Sequence, residues 1–161
     1  MIIYYATVNE FAPLSVGGTI NNTVSISGGG LATDIIAEET ITALEEPILA
    51  ISKALSPTTV VDNGTIVYTF TISNSGNTEA VATDNLIVTD TFNPILTIQN
   101  VSLNGVTLTE GTDYTYNQAT GAFATVAGRI TVPAAIYTQD PATGMVLVEP
   151  GVSVLTVTGT V

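Results

Sequence analysis

Alternation of apolar and polar residues with a period of two is the feature that most constrains this chain. The segments TIVYTFTIS (65–73) and VSVLTVTGTV (152–161) show it most clearly, and similar runs lie at 49–55, 85–92 and 95–103. Successive side chains of a strand point to opposite faces, so this pattern predicts strands with one buried face. A helical period of 3.6 residues is convincing nowhere. The sequence therefore predicts an all-β protein.

Turn signals separate these runs. They are Asp62-Asn63-Gly64, Asn74-Ser75-Gly76-Asn77, Asn104-Gly105 and Pro150-Gly151, which are residue types that favour tight turns. About seven short strands at this spacing predict an immunoglobulin-like, Greek-key β-sandwich.

The composition argues against several classes of function. Hydrophobic residues make up 45% of the 161 residues and charged residues 10%, which is enough apolar material for a buried core. The formal net charge of -12 repels phosphate backbones and anionic membrane surfaces, so we expect no nucleic-acid partner. No apolar run reaches the roughly 18 residues of a membrane span. Without Cys or His, the chain offers no thiol nucleophile, His-based triad or usual zinc site. We expect no enzyme, cofactor or metal.

The chain divides into three predicted parts. Residues 1–30 form a strand-forming leader, with a donor strand at about 15–28 and a glycine triplet, Gly28-Gly29-Gly30, at its boundary. Residues 31–46 form a linker, which could be a short helix or an acidic strand. Residues 47–161 form the sandwich.

The start of the sandwich carries a recognisable motif series. In order, it contains Leu49 and Lys53, then Pro57, then Gly64, Val67, Tyr68 and Phe70, then Asn74, Gly76 and Asn77, and finally Val88-Thr89-Asp90. This series resembles the immunoglobulin-like conserved repeat domain, a domain of unknown function, of bacterial surface and spore-appendage proteins. The resemblance implies a structural protein on the extracellular surface of a cell or spore.

One departure from the family has a physical consequence. A repeat of this family normally continues past a strand like VLTVTGTV into a last strand, and the segment that resembles that strand lies at 19–25. The sandwich at 47–161 is therefore expected to lack its last strand, which leaves an open sheet edge. The leader could fold back on its own domain, giving a monomeric adhesive or ligand-binding module of a larger surface protein. We favour its insertion into another copy of the chain, which builds a head-to-tail filament by donor-strand complementation.

Three polar side chains are each expected on an apolar face of a strand. They are Lys53, which is the only lysine, Asp90 and Asn22. Because side chains alternate along a strand, their same-face neighbours lie at every second position. These neighbours are Leu49, Ile51 and Leu55 for Lys53, Leu86, Val88 and Phe92 for Asp90, and Ile20, Val24 and Ile26 for Asn22 in the donor strand.

This set is similar to the Lys, Asn and acid that form self-made cross-links in collagen-adhesin-type domains of surface proteins. The similarity implies that Lys53 is the nucleophile, Asn22 the electrophile and Asp90 the catalytic acid of a Lys–Asn isopeptide bond. An amine in apolar surroundings favours its neutral, nucleophilic form, and a protonated carboxyl can polarise the amide carbonyl. The chain would then be at most a single-turnover catalyst of its own cross-linking.

Simpler interpretations stay open. Lys53 could snorkel at a strand end or form an ion pair with Asp90, and Asp90 could be a turn residue. Asn22 could be a core amide, with Asn21 or, as the leading rival, Asn74 as the lysine's partner.

Overall fold

The computed structural model describes residue 3 and residues 5–161. It confirms the all-β prediction, because strands account for 47% of the chain and helix for 2%. The strands in chain order are β1 (Thr19–Ile26), β2 (Ile35–Thr42), β3 (Leu49–Ser56), β4 (Thr65–Asn74), β5 (Thr89–Thr91), β6 (Thr97–Leu103), β7 (Val106–Thr107), β8 (Tyr114–Asn117), β9 (Ala122–Thr125), β10 (Ile136–Gln139), β11 (Val146–Glu149) and β12 (Gly151–Thr160). A 3-10 helix spans Ala82–Asp84.

Two antiparallel sheets form the sandwich. The larger has five strands in the order β3-β4-β12-β6-β7, and the smaller has three in the order β5-β9-β8. The strand pairs β1-β2 and β10-β11 form separate two-stranded sheets. Buried residues of the five-stranded and the three-stranded sheet form one core. In β4 and β12 every second side chain is buried.

Aromatic side chains join the two sheets. The ring of Phe92, just after β5, lies 4.9 Å from that of Tyr68 in β4 and 5.8 Å from that of Phe123 in β9, centroid to centroid. Such tilted ring pairs stabilise the fold beyond the contribution from the burial of apolar area. They place β5 over the β4 side of the larger sheet.

The predicted strands agree with the observed ones except at 85–92. There the strand is limited to β5, because the 3-10 helix precedes it and Asn85 has a left-handed backbone, with φ of 55°. The Asp84 carboxylate accepts a hydrogen bond of 2.8 Å from the Val81 backbone N–H and stabilises this turn. Residues 86 to 92 nevertheless alternate in burial as predicted, with Val88 and Phe92 buried.

The leader contains a strand, β1, and the linker forms the second of its two predicted alternatives. β1 pairs along its whole length with β2, so the linker is a strand rather than a helix. The glycine triplet at 28–30 is the turn of this hairpin, not a boundary, and all three residues have positive φ, which glycine adopts without steric cost. Residue 3 and residues 5–18 are not strand, whereas residues 1, 2 and 4 lie outside the described part of the chain.

Candidate functional site

The candidate site is an apolar groove between β3 and the segment that leads into β5. Within the part of the chain that the structure describes, both strands are sheet edges. The groove has a volume of about 200 Å³. It is lined by Leu49, Ala50, Ile51, Ile72, Leu86, Ile87, Val88 and Ile130.

The core-facing side chains of β3 are exposed, whereas those of β4 are buried. Ile51 and Leu55 lie opposite Ile72 and Tyr68 of β4, and residues directly opposite each other in a sheet share a face. Ile72 and Tyr68 are buried, yet Ile51 is 57% exposed and Leu55 44%. The core-facing side of β3 is therefore uncovered along its length.

The edge of β5 that faces away from β9 carries backbone groups that no strand pairs with. Val88 and Phe92 bond to β9 and its turn, since Thr125 N–H donates to Val88 O and Phe92 N–H donates to Gly121 O, both at 2.9 Å. In an antiparallel pair the bonding alternates residue by residue. The backbone groups of Thr89 and Thr91 therefore face away from β9, and all of them except the Thr91 N–H, which bonds to Asp90 Oδ1, are open to an added strand.

The structure brings Lys53 and Asp90 together at one end of the groove. The Lys53 ammonium contacts Asp90 Oδ2, and Asp90 Oδ1 accepts a hydrogen bond from the Thr91 backbone N–H. The ammonium also lies 4.7 Å from the ring centre of Tyr68, where the negative face of the ring attracts a cation. The Lys53 side chain is 41% exposed and that of Asp90 17%, so an added strand would bury the pair.

Asn22 lies elsewhere in this chain. It is in β1, directly opposite Glu39 of β2, and not in either sheet of the sandwich. Its apolar neighbours Ile20, Val24 and Ile26 are exposed. The donor face predicted from the sequence is thus present and accessible, but it is not in the groove of its own chain.

Asn74 is not in position to react with Lys53. Lys53 pairs with Phe70, so Asn74 lies four residues along β4, or about 13 Å away. Its buried amide donates to the carbonyls of Thr78 and Pro133 and accepts from the backbone N–H groups of Ile48 and Gly76. Asn74 is a structural amide that joins three loops. Asn21, the other alternative, accepts a hydrogen bond from the Thr40 hydroxyl across the hairpin.

Asn77 makes a structural contact that the sequence indicated only as part of a turn. Its Nδ2 donates to the carbonyls of Leu14 and Leu44, each at 2.9 Å, and its Oδ1 accepts from the Glu46 N–H at 3.1 Å. These bonds attach both ends of the β1–β2 hairpin to one end of the sandwich. No period or spacing in the sequence signals a contact over this separation.

Two groups with shifted pKa values lie outside the groove. Burial, and then the nearby Glu110 carboxylate, raise the pKa of Tyr114 in β8. Backbone N–H groups of Ala142 and Thr143 hold the pKa of Asp140 below its ordinary value. Neither group is positioned to take part in chemistry at Lys53.

Within residue 3 and residues 5–161, no helix has the length and apolar character needed to cross a membrane. We found no match to this chain among protein-family models, curated proteins or solved structures.

Proposed function

We propose that this protein is the structural subunit of a self-assembling bacterial surface filament or spore appendage. Subunits join head to tail when the leader of one copy fills the groove of the next. The observation that carries the proposal is the uncovered core face of β3 beside the open edge of β5. An exposed apolar groove at a sheet edge favours strand addition over the monomeric state.

The leader supplies a matching occupant. β1 has eight residues. Apolar and polar side chains alternate along it, so one of its faces is largely apolar. Its position also favours exchange between copies, because the Asn77 contacts hold the base of the hairpin at the end of the sandwich. A donor at one place and an acceptor at another form a heterologous contact, which propagates into a filament.

The Lys53–Asp90 pair makes a covalent staple between subunits chemically accessible. With Asn22 inserted beside this pair, neutral Lys53 Nζ attacks Asn22 Cγ. A new C–N amide bond forms, and the bond from Cγ to Nδ2 breaks. Asp90 takes the lysine proton and returns it to the departing nitrogen, which leaves as ammonia. The surrounding rings of Tyr68, Phe70 and Phe92 reduce the water content of this site.

Imaging tests the assembly. Negative-stain microscopy and size exclusion of the purified chain should reveal filaments and large species. A chain that remains monomeric at high concentration would instead support the adhesive module with its leader folded back, and the filament proposal would fail.

Boiling the assembled protein in detergent tests the staple. A ladder of covalent oligomers is expected, with one ammonia lost per bond in the intact mass. Lys53→Arg is the decisive variant because it keeps the positive charge beside Asp90 but cannot form the bond. Asn22→Ala should also remove the ladder, whereas Asn21→Ala, on the opposite face of β1, should keep it. Ammonia loss without a ladder would place the bond within one chain.

A further inference from the structure

The larger sheet and the smaller sheet each present an open edge to the same groove. These edges are β3 and β5, which run in the same direction, since Leu49 and Ile51 line the groove with Leu86 and Val88, and further along both strands Lys53 contacts Asp90. A strand pairs along both of its edges, so either one strand or two neighbouring strands added here could join β3 and β5.

The β1–β2 hairpin is amphipathic as a unit. One face carries polar cross-strand pairs, including the Thr40 hydroxyl donating to Asn21 Oδ1 at 2.8 Å. The other face is apolar apart from Asn22 and Glu39, which lie opposite each other at its centre. The apolar members of this face, most of them exposed, are Ile20, Val24, Ile26, Ile35, Ala37 and Ile41.

We infer that the whole β1–β2 hairpin is the donor, with β1 of one copy pairing to β5 of the next and β2 pairing to β3. This inference rests on the proposed filament and specifies how the groove is filled. The three-stranded sheet would gain two strands and close against the five-stranded sheet, leaving neither β3 nor β5 as a free edge.

A single register supports this arrangement. If β1 runs antiparallel to β5 with Asn22 opposite Asp90, the alternation of each strand sorts the core-facing residues into four layers. Three layers are apolar throughout: Leu86, Ile26, Ile35 and Leu49; Val88, Val24, Ala37 and Ile51; and Phe92, Ile20, Ile41 and Leu55. The fourth is polar throughout: Asp90, Asn22, Glu39 and Lys53. A shift of two residues would set polar groups against apolar ones.

Strand direction indicates that the hairpin comes from another copy. In this register β2 runs parallel to β3, and parallel neighbours in one chain need a connection of about a dozen residues or more. Only residues 43–48 separate β2 from β3. In addition, the Asn77 contact holds Leu44 at the end of the sandwich where β3 begins. A hairpin of a second copy has neither constraint.

Strand order gives a second, independent reason for two strands. In a seven-stranded immunoglobulin-type sandwich one sheet has the order A-B-E-D and the other contains C, F and G. The observed β3-β4-β12-β6 sequence matches A-B-E-D, and β5 takes the place of C. In that sheet F lies beside C and G lies beside F. The hairpin would occupy these two places, with β1 as F and β2 as G.

Glu39 would become the second carboxyl at the site of cross-linking. Lys53 carries one positive charge, whereas Asp90 and Glu39 together carry two negative charges when ionised. In its protonated form Glu39 can bond to the Asn22 carbonyl and supply the proton that leaves with ammonia, regaining one from the attacking lysine amine.

A disulfide lock tests the two-strand donor, since the chain has no cysteine of its own. Asn21→Cys and Thr40→Cys are opposite each other on the polar face, which the register places outside the groove. The oxidised and reduced forms of this variant should both assemble into filaments as the wild type does. Assembly only after reduction would overturn the inference in favour of a single inserted strand and leave the filament proposal intact. Assembly in neither form would also overturn it, because the polar face would then be part of the contact.

A matched pair of variants tests Glu39. Glu39→Gln should form filaments but slow the appearance of the detergent-resistant ladder at least tenfold and shift its pH profile. Glu38→Gln, on the polar face, should match the wild type in both respects. Equal ladder rates for the two variants would remove Glu39 from the site, whereas absence of filaments from the wild type would instead reject the proposed function.

Discussion

β3 and β12 flank the same strand and have opposite environments. Both pair with β4 in full register, so Phe70 lies between Lys53 on one side and Leu155 on the other. Leu155 is fully buried, and the Lys53 side chain is 41% exposed. Their strand pairing is alike, but the core-facing side chains of β12 are buried and those of β3 are exposed. The hydrogen bonds within a sheet thus do not determine how deeply the side chains of a strand are buried, because their burial depends on the layer that packs against the sheet.

The comparison separates folding from assembly. The covered side of β4, where β12 lies, stabilises the single chain by burial, whereas the side chains on its uncovered side, where β3 lies, are exposed in the single chain. Substitutions on the two sides should therefore change different measurements.

Truncation on the covered side should have the largest effect on stability. Leu155→Ala removes a fully buried side chain and should lower the free energy of unfolding by about 2–5 kcal/mol. Ile51→Ala, on the uncovered side, should cost the single chain less than about 1 kcal/mol, since that residue is 57% exposed. Urea unfolding of unassembled protein measures both values. Equal losses would show that β3 is covered in the single chain.

The buried amide at the end of β4 should have the next largest effect. Asn74→Ala leaves two backbone N–H groups and two carbonyls without their partner and should cost about 3 kcal/mol. The same unfolding experiment measures this loss. The variant should still form the covalent ladder at temperatures where it is folded, and its loss under those conditions would return Asn74 to the list of lysine partners.

A charge placed in the groove should separate assembly from stability. Ile51→Glu should change the unfolding free energy of the single chain by less than about 0.5 kcal/mol, because the side chain is exposed. It should abolish filaments, since insertion would bury an unpaired carboxylate. Ser52→Glu, on the opposite face of β3, is the control and should assemble. Sedimentation of both variants gives the comparison, and filaments from Ile51→Glu would contradict the groove as acceptor.

Alkaline pH should lower the free energy of unfolding, and this is the smallest of the expected effects. The pKa of Tyr114 is raised in the folded chain by burial and by Glu110, so the neutral phenol stabilises the fold. This contribution is complete below the unfolded value, about 10, and is lost as the pH rises through the folded pKa. Tyr114→Phe should reduce the loss of stability in this range. Identical pH profiles for the variant and the wild type would assign the alkaline loss to other groups.

Local pattern predicted much of the fold and half of the candidate site. The period-two runs gave β3, β4, β6 and β12, and the same alternation placed Lys53 and Asp90 on core-facing sides, where the structure joins them. The glycine triplet was misread as a boundary because a hairpin turn and a hinge have the same composition. Glu39 was missed because its relation to Asn22 depends on cross-strand register.

By itself, the sequence determined which residues of each strand share a face, because that depends only on backbone geometry. It also determined that Lys53 is the only lysine. Only the tertiary structure decided that the face around Lys53 is uncovered, that Asn74 has its full set of hydrogen bonds, and that the leader is half of a hairpin. These three facts depend on contacts between segments far apart in the chain, whose formation reflects the balance of burial over the whole molecule rather than any local preference.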